Sequence, residues 1–152
     1  MLIVERADPL APGPKALLEA SHALMREMFE PEENYFLDFE ALRGDDVRFF
    51  AAREGGETLG TGALALKDGY GEVKSMFTAP EARGRGVAAA ILRALEDEAR
   101  ALGLPLLRLE TGDPLASAVR LFERAGFTRC GIFGDYRPND SSVYMQKPLA
   151  EA

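Results

Sequence analysis

The sequence predicts an α/β protein of the α+β type: a mixed central β-sheet of about seven strands with helices on both faces. Short β-rich runs and amphipathic helical stretches follow one another in the order β-α-α-β-β-β-α-β-α-β-β. Hairpin turns join the early strands, while the middle of the chain reads strand-helix-strand, so antiparallel and parallel neighbours share one sheet. With 152 residues, 47% of them hydrophobic and 28% charged, the chain suits one core. A single domain over 1–152 is expected.

Leu2 to Arg6 is an apolar run suited to a first strand, broken by Pro9, Pro12, Gly13 and Pro14. From Lys15 to Phe29, Leu17, Leu18, Leu24, Met25 and Met28 recur at roughly helical spacing, and Pro31 stops that helix. A short second helix fits Asp38 to Arg43, with Gly44 as its stop. Val47 to Arg53 and Thr58 to Lys67 are β-rich runs joined by a turn at Glu54–Glu57. Asp68-Gly69 is a strong two-residue hairpin turn, since both residues tolerate positive φ. The next strand, Glu72 to Thr78, is expected to put Val73, Ser75 and Phe77 on one face and Glu72, Lys74 and Met76 on the other.

After Ala79-Pro80 a glycine-rich turn opens a helix whose stripe includes Val87, Ile91, Leu92, Leu95 and Ala99, ended by Gly103. Leu104 to Glu110 reads as a buried strand and Pro114 to Arg124 as another helix, closed by Gly126. Strands near Phe127–Phe133 and Ser142–Lys147 complete the pattern.

The formal charge of −7 is local. Between Glu27 and Asp46 lie eight acids and one base, Arg43, which leaves the other 132 residues neutral. Binding of nucleic acid or an anionic membrane through bulk charge is therefore not expected. Apolar stretches are short and charges come early, so a soluble, cytoplasmic protein is expected. Cys130 and His22 are the only residues of their kinds, which excludes an intrachain disulfide framework, a four-cysteine zinc site and any Ser-His or Cys-His pair not built on that one histidine. No metal is expected. Cys130 reads as a small apolar strand residue and His22 as an ordinary helix residue.

The motif that carries chemistry is Arg83-Gly84-Arg85-Gly86-Val87-Ala88, between the end of a strand and the first turn of a helix. Free N–H groups and the positive end of the helix dipole make such a turn a natural phosphate site. Glycines let the backbone approach the anion, and Arg83 and Arg85 add cations. Gly84 to Ala89 also satisfies the dinucleotide pattern Gly-x-Gly-x-x-Ala, with Glu110 where a ribose-binding acid would sit. The surroundings disagree with that NAD(P) reading: three strands linked by hairpins precede the motif, and too little chain follows Glu110 for the second half of a doubly wound sheet.

The segment from Glu72 to Ala88 resembles the signature of the GNAT acyl-CoA N-acyltransferases, a strand, a Pro-containing loop, then Arg/Gln-x-x-Gly-x-Gly/Ala opening a helix. Leu109–Gly112 and Ala118–Phe127 resemble that family's next strand and its helix-to-Gly-Phe element, so the likeness covers about residues 45 to 149. It implies a sheet splayed between the strands at 72–78 and 104–110 with acetyl-CoA in the gap. Met76, Phe77 and Thr78 would pair by backbone with the acetyl and pantetheine amides. Arg83, Gly84, Arg85, Gly86, Val87 and Ala88 would hold the pyrophosphate.

Acetyl transfer to an amine needs a group to take the ammonium proton and something to stabilise the departing thiolate. The resemblance makes Glu110 and Glu72 the candidate bases, since family members carry a base at one or the other position; each is otherwise a strand-end carboxylate that is solvated or paired, for instance with Lys74 or Arg108. The sequence departs from the family at Phe122, where many members carry a tyrosine acid, and at Leu115, where an asparagine is common. Tyr136 is the replacement candidate, with Tyr144 behind it; a loop aromatic closing the pocket is the other reading of Tyr136. The acidic segment suggests that Glu30, Glu32, Glu33 and Asp38 draw in a cationic amine, against the plainer reading of a solvated loop. The expected function is N-acetyl transfer from acetyl-CoA to a primary amine of a small molecule by direct attack in a ternary complex. The alternative is an acyl-CoA-binding sensor that has lost turnover. The resemblance leaves room for a homodimer.

Overall fold

A computed structural model describes residues 1–31, 37–112 and 115–149 of the chain. The elements are β1 (Leu2–Arg6), α1 (Pro12–Met28), α2 (Phe39–Leu42), β2 (Val47–Glu54), β3 (Glu57–Lys67), β4 (Tyr70–Thr78), α3 (Val87–Ala101), β5 (Leu106–Gly112), α4 (Ala116–Arg124), β6 (Thr128–Arg129) and β7 (Ser142–Pro148). They form a seven-stranded sheet in the order β1-β2-β3-β4-β5-β7-β6. Only β4 and β5 pair in parallel, so the expected mixed sheet is present.

Strand alternation divides the core. Phe50, Ala52, Leu59, Leu64 and Val73 join a cluster built on Ile91, Leu92 and Leu95 of α3, with Val119 and Phe122 of α4. Val47, Phe49, Ala63 and Ala65 point the other way, against Leu18 of α1 and Leu42 of α2. Helices thus cover both faces, as the patterning predicts. Pro12 and Pro14 fall in the first turn of α1, where a missing N–H costs nothing.

The period of two in β4 fails at one place. Thr61 pairs with Phe77 and Ala63 with Lys74, so Gly62 alone faces both Ser75 and Met76. This is a β-bulge, and Ser75 takes φ +56°, a left-handed value unusual for a non-glycine residue. The fully buried Thr61 hydroxyl donates to the Ser75 carbonyl at 2.9 Å and fixes the kink. Met76 therefore packs with Val73 against the α3 cluster, contrary to the simple alternation, while Glu72 and Lys74 stay on the opposite face.

Other boundaries shift for local reasons. Pro105 has no N–H to give a ladder, and β5 begins at Leu106 rather than Leu104. The expected strand over Phe127–Phe133 shrinks to Thr128–Arg129. Beyond it Phe133 turns inward, edge-to-face with Tyr70, Tyr136 and Tyr144. Cys130 accordingly lies in the connection after β6, half-buried, and not in a strand as expected.

Gly62 lies directly beneath α3: an added Cβ would come 2.5 Å from Ile91 Cγ2 and 2.8 Å from Met76 Sδ. Gly62→Ala is expected to destabilise the protein by about 1–3 kcal/mol through overpacking. Urea unfolding would read this as a lower midpoint at unchanged slope.

Candidate active site

The site begins where two strands stop pairing. β4 and β5 are joined at Gly71↔Leu107 and Glu72↔Arg108, and the ladder ends there. Each strand keeps its outer partner, β3 for β4 and β7 for β5, so both walls of the opening are held by ladders of their own. Two residues beyond the last pair, Lys74 and Glu110 lie on the same face of the sheet on opposite sides of the widening gap. A cavity of ≈ 150 Å³ occupies the gap, walled by both strands, by Met25 and Phe29 from the end of α1, and by Leu115 and Phe122 of the α4 segment. A second cavity of ≈ 200 Å³ lies alongside, lined by Glu72, Tyr70, Asp135 and Tyr136 among others. Lys74 lines both.

Glu72 is 4% exposed. Its Oε2 accepts from the Tyr136 hydroxyl and lies 3.5 Å from Lys74 Nζ, which in turn donates to Tyr136 Oη at 2.7 Å. The ammonium also sits 5.2 Å from the centre of the Tyr136 ring. Burial lowers the pKa of Lys74, opposed by the charges of Glu72 and Glu110 and by its bond to Glu72, while Lys67 lowers it slightly further. Burial and then the Glu72 charge push the Tyr136 phenol well above its ordinary value. The Tyr136 proton is thus committed to Glu72, and its oxygen to Lys74.

Glu110 is held separately. Its Oε2 accepts from Ser142 Oγ at 2.6 Å, and Asn139 positions that serine by donating to Ser142 Oγ at 2.9 Å and accepting from Ser142 N at 2.8 Å. Burial raises the pKa of Glu110; the Ser142 bond and then Lys74 act against the rise, and Glu72 adds to it. A carboxyl group raised in this way and facing a cavity binds a proton more readily than an ordinary glutamate.

Past the end of β4 the chain makes a 3-10 turn at Pro80–Ala82 and enters α3 through Gly84 and Gly86, with φ +81° and +79°. An added Cβ at either glycine would meet nothing within 4 Å, so the requirement is conformational and the backbone faces open space. α3 has no side-chain cap and no acid in its first turn, so no side chain of the turn takes up its first N–H groups. Arg83 is exposed; Arg85 donates to Glu54 Oε1 at the end of β2 at 2.7 Å.

The structure brings together Glu72, Glu110 and Tyr136 from the sequence-derived set, with Met76 on the wall of the gap. Phe77 and Thr78 continue β4 toward the glycine turn that carries Arg83 to Ala88. Tyr144 pairs with Glu110 across β5 and β7 and stacks edge-to-face on Tyr136. Lys74 is the residue that sequence reasoning passed over, placing it only on the Glu72 face of its strand and among the possible partners of the two carboxylates. The available signal was its spacing, since residues two apart on a strand share a face. His22 is buried on α1 against the Phe39 ring, and its pKa is lowered first by that burial. Of the acidic segment, Glu32 and Glu33 lie outside the described residues, Glu30 is exposed, and Asp38 caps α2 by accepting from Ala41 N at 2.8 Å. Among the described residues no helix is long and apolar enough to cross a membrane.

Comparisons with known proteins agree with this fold. A model of the acetyltransferase (GNAT) family matches residues 16–127. An IAA acetyltransferase of Azospirillum brasilense is 40% identical over 148 residues, covering 96% of this chain and 97% of that protein. The uncharacterised N-acetyltransferase YsnE of Bacillus subtilis is 41% identical over 129 residues, 82% of this chain and 85% of its own length. A crystal structure from Klebsiella pneumoniae, described as an acyl-CoA N-acyltransferase, superposes with a TM-score of 0.86 at 32% identity over 99% of both chains.

Because the Ser142 bond holds the Glu110 pKa down against burial, Ser142→Ala should raise it further. A ¹³C-carboxyl NMR titration should place Glu110 above the ordinary glutamate range in the native protein and higher still in the variant. A Glu110 midpoint that stays in place in the variant would remove Ser142 from that role.

Proposed function

The chain belongs to the GNAT acetyltransferase family and is an acyltransferase; on that footing we propose that it moves an acetyl group from acetyl-CoA to a primary amine of a small molecule, by direct attack within a ternary complex. The parting of β4 from β5 beside Glu110 is the observation that carries this reading. Unpaired strand edges beyond Glu72 and Arg108 offer N–H and C=O groups to an extended chain of amides, and Met76, Phe77 and Thr78 supply the β4 edge. At the mouth of the gap, the open backbone of Gly84 and Gly86 and the uncapped start of α3 at Val87 and Ala88 suit a pyrophosphate, with Arg83 and Arg85 beside it. Arg85 would exchange its bond to Glu54 for one to phosphate.

In this reading Glu110, directly or through a water, takes a proton from the acceptor's ammonium. The free amine attacks the thioester carbonyl, the new C–N bond forms, the C–S bond breaks, and the coenzyme A thiolate leaves. Glu72 is the less favoured base, since its carboxylate is engaged with Tyr136 and Lys74. The name of the Azospirillum relative points to one acceptor to include in any screen.

Thiol release from acetyl-CoA measured across a panel of small primary amines, with IAA as a separate acceptor, tests the reading. Turnover with at least one primary amine is expected. Glu110→Gln should lower kcat/KM for that amine by about 10²–10⁴-fold, the usual worth of a positioned base. Saturable acetyl-CoA binding without thiol release on any acceptor would overturn the reaction. Gly86→Val, which puts a β-branched residue at φ +79°, should raise the KM for acetyl-CoA more than it lowers kcat.

A further inference from the structure

The proposed transfer leaves one proton without a donor. The cavity between β4 and β5 is walled on the α4 side by Phe122 and Leu115, neither of which has a proton to give. Tyr136 donates its proton to Glu72 and offers only its oxygen to the site. Among the described residues lining the cavity, the ionisable side chains are Glu110 and Lys74. The hydroxyls of Ser21, Ser75 and Thr111 do not ionise in the working range of an enzyme. Glu110 must arrive unprotonated to act as base, which leaves one group.

We propose that Lys74 is the catalytic acid of this site, delivering a proton from its ammonium to the coenzyme A thiolate as the C–S bond breaks. The inference rests on the acetyl-transfer reading above and assigns the donor that reading lacks. Its geometry is the register of the split strands: Lys74 and Glu110 occupy the first positions beyond the last β4–β5 pair, on one face and on opposite walls. An acceptor and a thioester meeting in the gap would have the base on one side and the acid on the other. Lys74 also lines the neighbouring cavity, where Tyr136 and Glu72 hold its ammonium between the two openings. These two are positioning residues, which explains why a tyrosine and a buried glutamate are spent on a lysine.

The proton count closes. One amine proton leaves before attack, to Glu110 and then to solvent. After attack the nitrogen gives up a second proton to Glu110 while Lys74 protonates the departing sulfur. Transfer of that second proton from Glu110 to the neutral Lys74 amine restores both groups, and the cycle releases one proton for each ammonium acetylated.

Titration supplies a test with a definite sign. The groups facing the Lys74 ammonium are Glu72 on its own strand, Glu110 on β5, Tyr136 on the β6–β7 connection and Lys67 on β3. Burial dominates and brings its pKa below that of an ordinary lysine. An acid must be protonated and the base Glu110 unprotonated, so kcat should hold steady between the Glu110 and Lys74 pKa values and fall as pH rises through that of Lys74. The midpoint of that fall in the native enzyme should coincide with the Lys74 pKa read from its Nζ resonance by ¹⁵N NMR; a clear mismatch overturns the proposal without any variant.

Lys74→Met should lose about 10²-fold or more in kcat, keep its KM for acetyl-CoA within a few-fold, and lose the alkaline fall. Lys74→Arg retains the charge beside Glu72 and Glu110, yet a guanidinium does not release a proton in this range. It should be nearly as slow as Lys74→Met, whereas recovery of native kcat in Lys74→Arg would reduce Lys74 to an electrostatic prop and defeat the inference. Native enzyme that releases no thiol with any amine would be a different result, sinking the underlying reaction rather than the choice of donor.

Discussion

Everything at this site depends on a sheet that cannot close. β4 is tied to β3 along its length and β5 to β7 along its own, but β4 and β5 share only two paired positions. The bulge at Ser75 supplies the bend that takes β4 away, because an extra residue in one strand increases local twist and interrupts pairing. The Thr61 hydroxyl, buried and bonded to the Ser75 carbonyl, holds a backbone conformation that serine would not adopt by itself. An unpaired strand edge in a protein interior is costly unless something else occupies it. An extended thioester with amide groups along its length is a chemically apt occupant, so the opening and the ligand class belong to one argument.

The same split organises the charges. Above the last pair the sheet is filled by Leu107, Leu109 and Val73 on the α3 side. On the opposite face the positions bordering the gap carry Glu72, Lys74, Arg108 and Glu110. A cluster of this kind in an apolar core would be destabilising if its members stood alone. Here they are compensated locally: Lys74 between Glu72 and Tyr136, Glu110 by Ser142 through Asn139, and the Arg108 guanidinium over the Tyr70 and Phe133 rings at 5.0 and 5.4 Å. Holding each group by a different partner gives each its own proton affinity, the condition under which neighbouring groups divide acid and base work.

Much of this was legible in the chain. Hairpin turns, the glycine turn before α3 and the amphipathic stripes predicted the order of elements because each is a local signal, set by φ preferences or by side-chain period. Positive φ at Gly69, Gly84, Gly86, Gly103 and Gly126 bears out the turn and cap assignments at those positions. Glu72 and Glu110 could be singled out because the family resemblance places a general base at one or the other of those positions. The bulge could not be read, since it arises from the register of β3 against β4. Its consequence, Met76 turning to the α3 side, was missed with it. The shortened β6 escaped for a similar reason, as Phe133 packs on Tyr70 of β4, far from it in sequence, as well as on Tyr136 and Tyr144.

Sequence alone determined the class of fold, the glycine turn before α3, the two carboxylates and the absence of a hydroxyl at Phe122, all of which depend on residue type and spacing within short windows. Only the tertiary structure decided how the polar groups are shared. It tied the Tyr136 proton to Glu72, left Glu110 on the wall of the gap, and raised Lys74 from a strand residue to the cation between two cavities. The reason is distance: these partners lie up to 64 residues apart in the chain, and hydrogen bonding and burial act through space. Proton affinity belongs to an environment that no single segment contains.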